Sequence, residues 1–87
     1  MKKILTDKIK KVKRENGYTY ESIIDMYQDQ YGVKLTPKQV SNILNRDGEN
    51  VSLDILEKLL WSMDIAIGIV FEDITGGVSD LAIFKQI

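Results

Sequence analysis

The stretch "LTPKQVSNILNR", residues 35–46, decides how the rest of the chain is read. Its N-terminal signals agree with one another. Thr36 stands where a helix cap is needed, Pro37 takes the first helical position with its fixed φ, and Gln39 follows the cap at capping-box spacing. Leu35 and Val40 occupy the positions of a hydrophobic staple. At about 100° per residue, Val40, Ile43 and Leu44 fall on one side of the helix. Lys38, Asn42 and Asn45 fall on the other, with Ser41 and Arg46 nearer its edges. All of these outward side chains donate hydrogen bonds and none is acidic, in a chain with 13 acidic residues. An ordinary surface helix in such a chain would show some Asp or Glu. This face is the strongest functional signal in the sequence.

The flanking segments read as helices of the same small domain. Leu5, Ile9 and Val12 repeat on one face over about residues 2–15, and Gly17 is a natural C-terminal stop. The lysines around that stripe form a solvated face, with phosphate contact at the helix ends as the functional alternative. A second helix runs from a Thr19 cap to about Tyr31, with Ile23, Ile24, Tyr27 and Tyr31 as its apolar stripe, and Gly32 ends it. "DGEN", 47–50, is a turn. Asp47 and Glu49 beside Asn45 do not make a calcium loop, because the glycine is misplaced and the ligand series is incomplete. Ser52 caps a fourth helix, "LDILEKLLWSM", with Leu53, Leu56, Leu59, Leu60 and Met63 as its core side. Asp54, Glu57 and Lys58 mark the polar side. Trp61 falls there too, to be covered either by the chain's own C-terminal segment or by an interface.

Composition narrows the function classes. Eighty-seven residues allow one domain with one small core, so oligomerisation is a reasonable additional source of stability. With no cysteine and no histidine, disulfides, thiolate chemistry and the commonest general base and metal ligand are all missing. No spaced carboxylate pair, phosphate loop or nucleophile–base set is present, so the expectation is a non-enzyme without metal or cofactor. The longest apolar run, "IAIGIVF" at 65–71, is too short for a membrane span, and the charged "MKKILTDKIKKVKR" is no secretory signal. A soluble, cytoplasmic protein is expected. The net charge of −1 conceals an asymmetry: residues 1–46 hold ten Lys/Arg against five Asp/Glu, and residues 47–87 hold two against eight. A basic half and an acidic half are compatible with a nucleic-acid partner despite the acidic total.

The chain changes character after residue 64. "IAIGIVFE" is rich in β-branched residues and contains Gly68, so it reads as a strand. An isolated strand has two unpaired edges and must pair with a later segment or another chain. The expectation is a homodimer that uses Ile65, Ile67, Ile69 and Phe71, together with Trp61. The alternative is a hairpin through "TGG", 75–77, and the tail "VSDLAIFKQI" reads equally as strand or helix. The predicted class is thus mainly α: a four-helix helix–turn–helix domain over 1–64, then a short C-terminal β-strand or hairpin over 65–87.

Thr19, Ile23, Ile24 and Tyr27, then Leu35, Thr36, Val40, Ser41 and Ile43, then "NVSLDILEKL" at 50–59 resemble the phage-repressor-like helix–turn–helix family of the Cro and XRE type. The resemblance covers roughly residues 4–64, and its last stretch is the most specific. "QDQYGVK" makes the connection between the two motif helices about six residues longer than usual. Pro37 stands where many members carry a glutamine, and Leu44 where many carry a glutamate. The resemblance implies a sequence-specific regulator of transcription, repressor-like, that binds double-stranded DNA with its second motif helix in the major groove. Lys38 would meet guanine, Asn42 adenine, and Ser41 a base edge or a phosphate. Thr19, Tyr20, Thr36, Gln39, Asn45 and Arg46 would hold the DNA backbone. The other reading is a protein-binding module on the same scaffold, such as an antitoxin or an inhibitor of a nuclease or polymerase.

Overall fold

Three of the four helices begin at a side-chain cap, and two end at a left-handed glycine. The computed structural model of the chain describes residues 1–74 and 77–86, with side chains described as far as Ala66. The helices are α1 (Lys2–Asn16), α2 (Tyr20–Tyr31), α3 (Pro37–Asn45) and α4 (Leu53–Ser62), followed by strands β1 (Ile65–Ile74) and β2 (Gly77–Gln86). Thr36 caps α3 as its spacing predicts: its Oγ accepts from the Gln39 N–H at 3.1 Å, and the Thr36 N–H donates to Gln39 Oε1 at 2.8 Å. Thr19 makes the same reciprocal pair with Ser22 at the start of α2. That second box is invisible to a search for Glu or Gln at the third helical position, because serine does the work. Gly17 and Gly32 close α1 and α2 in the left-handed conformation, at φ of 67° and 70°.

The extra residues between the two motif helices are mostly helix. "QDQY" continues α2 to Tyr31, and the connection to α3 is the short segment 32–36. The expectation of a longer connection is corrected accordingly. The rings of Tyr27 and Tyr31 meet at a tilt one turn apart, their centres 5.1 Å from each other, and this aromatic pair supports the added turn.

One core holds the four helices together. Leu5 and Ile9 of α1, Ile23 of α2, Val40 of α3 and Leu56, Leu59 and Leu60 of α4 are its most deeply buried members. Leu53 is only partly buried and packs at the margin. The α3–α4 turn enters the core at Gly48, whose φ is +73° and whose backbone passes close to Leu56 and Thr6. Thr6 lies fully inside the core, where its hydroxyl donates to the Lys3 carbonyl at 3.0 Å.

β1 pairs with the chain's own tail. The strands are antiparallel, from Ile65 opposite Gln86 to Ile74 opposite Gly77, so the hairpin reading holds and the tail is strand. The connection at 75–76 lies outside the described residues. Ile65 is 5% exposed and belongs to the helical core, which leaves it little surface for a second copy. The side chains of Ile67, Ile69 and Phe71 lie outside the described residues. Trp61 is 51% exposed. Among the described residues no helix is long and apolar enough to cross a membrane.

Candidate nucleic-acid interface

α3 presents the face that its sequence predicts. Val40, Ile43 and Leu44 are buried against the other helices, while Lys38, Asn42, Asn45 and Arg46 are exposed. The inward residues hold the helix by burial, and that burial fixes which side chains point out. No Asp or Glu interrupts the outward face, since "PKQVSNILN" contains neither.

The predicted contact residues divide by what their side chains already do. The side chains of Lys38 and Asn42 make no hydrogen bond or ion pair within the described residues, and both residues are exposed. Asn45 Nδ2 donates to Ser41 Oγ at 3.1 Å, so these two neighbours one turn apart are coupled. Ser41 is half-buried and keeps its own hydroxyl proton to donate. Thr36 and Gln39 satisfy each other in the cap, which leaves the Thr36 hydroxyl proton and the Gln39 Nε2 for an outside partner. Thr19 is committed in the same way to Ser22, and its N–H is taken by Ser22 Oγ at 3.3 Å. Tyr20 is half-buried, with Lys13 Nζ 5.0 Å from its ring centre.

Two neighbours of α3 are visible only in the fold. A cavity of about 240 Å³ runs along its flank, lined by Leu35, Gln39, Asn42, Ile43, Asn50, Val51 and Ile55. Gln39, Asn42 and Asn50 share this lining with the apolar Leu35, Ile43, Val51 and Ile55. Asn50 and Val51 read as turn residues in the sequence. No local periodicity marks them, because they reach α3 across the chain reversal at Gly48. At the other end of α3, Arg46 shares an open concavity with Lys2 and Lys3 at the start of α1. Asp47 and Glu49 line it too, so its charge is mixed.

Several α1 lysines are engaged in exposed ion pairs. Lys3 reaches Asp7 at 2.9 Å and Lys11 reaches Glu15 at 3.9 Å, and Lys10 reaches Asp47 of the turn at 3.7 Å. The hydrogen bond to Asp7, reinforced by the charges of Asp7 and Asp47, raises the Lys3 pKa above its ordinary value. Exposed pairs of this kind contribute little stability and exchange readily for other anions. Among the described residues no group of His, Cys, Asp or Glu is arranged to hold a metal.

A small helical domain with an acid-free, donor-rich helix on its surface is the class that this fold and face define. No family model, curated protein or solved structure matches the chain.

Proposed function

We propose that the chain binds duplex DNA in a sequence-specific way, with α3 in the major groove, and acts as a repressor-like regulator. The observation that carries this reading is the outward face of α3: Lys38, Asn42, Asn45 and Arg46 exposed together with no carboxylate among them. Lys38 suits guanine O6 and N7, and Asn42 suits adenine N6 and N7. Ser41, Asn45 and Arg46 suit phosphates and fix the register of the helix in the groove. The flanking cavity adds a preference. A flank that mixes amide and apolar side chains suits an A·T pair, whose adenine offers N6 and N7 and whose thymine offers a methyl group. The resemblance to the phage-repressor-like family points the same way.

In this reading the protein works as a homodimer. Among the described residues the two-stranded sheet leaves the outer edge of each strand without a ladder partner, and such edges invite pairing with a second copy. Two α3 helices would then recur about one DNA turn apart, roughly 34 Å.

Selection from a random duplex pool tests these points together. The expected result is an enriched, near-palindromic site containing A·T pairs in each half. Absence of any mobility shift at low salt would sink the reading and favour a protein-only function. Affinity for the selected site is expected to fall steeply with salt, by about 0.9 logarithmic units per phosphate contact for each tenfold rise. Arg46→Ala should lower that slope by about 1 if Arg46 holds a phosphate. An unchanged slope would remove Arg46 from the interface.

A further inference from the structure

The polar side of α4 brings two carboxylates close to aromatic rings. In the first arrangement, Lys58 sits 3.0 Å from the Asp54 carboxylate, with its Nζ 5.5 Å from the centre of the Tyr31 ring. A cation is thus held between a carboxylate and an aromatic face. In the second, Glu57 and Trp61 lie one turn apart on α4, which puts carboxylate and indole on one face of the helix. Glu57 has no ion-pair partner among the described residues, and Trp61 is 51% exposed. Both arrangements line one cavity of about 150 Å³ between α2 and α4, bounded by Tyr31, Asp54, Glu57, Lys58 and Trp61.

We infer that this cavity is a docking site for an arginine side chain of a protein partner, seated between the Trp61 indole and the Glu57 carboxylate. Tryptophan is the aromatic that holds cations best. A guanidinium stacks flat on an indole, forks onto a carboxylate and gives up hydration more easily than an ammonium, so arginine fits better than lysine. The electrostatics select the same partner. Asp54 and Lys58 cancel, Glu57 leaves the cavity net negative, and residues 47–87 carry two basic against eight acidic residues. A basic segment is attracted to such a surface and a phosphate backbone is repelled. The Tyr31 wall adds no competing charge. Its hydroxyl oxygen is buried without a hydrogen-bond partner, and burial, against the pull of Lys58, pushes its phenol pKa up, so it stays neutral at physiological pH.

Trp61 is the only tryptophan, so its emission reports on this cavity alone. The test titrates the full chain, without DNA, with acetyl-Gly-Arg-Gly-amide and with its citrulline and lysine counterparts. The arginine peptide is expected to change Trp61 emission saturably, the lysine peptide more weakly, and the uncharged citrulline peptide not at all. Glu57→Gln, checked for an unchanged helical circular dichroism spectrum, is expected to weaken arginine-peptide binding about fivefold or more, as loss of a charge-assisted pair requires. Asp54→Asn serves as a second variant and should affect the site less, because Asp54 is already occupied by Lys58. An equal response to citrulline, unchanged affinity in Glu57→Gln, or silence of both the emission and the Trp61 indole N–H resonance would overturn the inference. Emission that shifts with protein concentration before peptide is added would assign the face to a second copy and overturn it as well.

Discussion

Asn42→Ala and Lys38→Ala are each expected to lower affinity for the selected DNA site by about 1–3 kcal/mol, the range for loss of a good bidentate base contact. Both side chains are exposed on the face of α3 opposite its buried residues, so neither change should unfold the protein. Competition binding against random duplex separates two roles. A residue that reads a base loses affinity for the selected site and keeps its weak affinity for random DNA. A residue that holds a phosphate weakens both equally. Asn42 borders the amide-rich cavity, so its loss should be accompanied by relaxed preference at one A·T pair in each half-site. Replacing that thymine with deoxyuracil removes only the methyl group and should weaken binding of the unaltered protein. Unchanged binding by a Lys38/Asn42 double variant would eliminate α3 as the reading helix.

The largest effect on stability is expected from Gly48→Ala. A Cβ at this position would lie 2.9 Å from Leu56 Cδ1 and 3.2 Å from Thr6 Cγ2, and the residue holds a φ of +73°. A side chain in the left-handed region costs roughly 1–2 kcal/mol, and overpacking a filled core adds about 1–3 kcal/mol. The sum is a large share of the stability of a domain this size. Gly17 provides the control. Its φ is +67°, but nothing lies within 4 Å of the added Cβ, so Gly17→Ala should show the conformational cost alone. Urea unfolding of both variants isolates the steric part as their difference. Equal losses would mean that the turn at 46–50 yields to the extra methyl.

Much of the helical part of this protein is legible in its sequence because the determining interactions are local. A cap joins residues three apart, so Thr36, Pro37 and Gln39 announce the start of α3 without reference to the rest of the chain. The periodicity that buries Val40, Ile43 and Leu44 also defines the outward set of Lys38, Asn42, Asn45 and Arg46. Gly17 and Gly32 mark helix ends for an equally local reason, the absence of a Cβ in a left-handed residue. The features that tertiary structure decided all join residues far apart in the chain. "IAIGIVFE" announces a strand, but its partner depends on a pairing that begins with Ile65 opposite Gln86, and no local signal states it. Asn50 reaches the flank of α3 only because Gly48 lets the turn press against Leu56 and Thr6. Trp61 reads as an unplaced aromatic until α2 packs on α4 and sets Tyr31 across the cavity from it. Short-range hydrogen bonds and helical periodicity are properties of a sequence window, whereas a shared cavity is a property of how the finished helices pack.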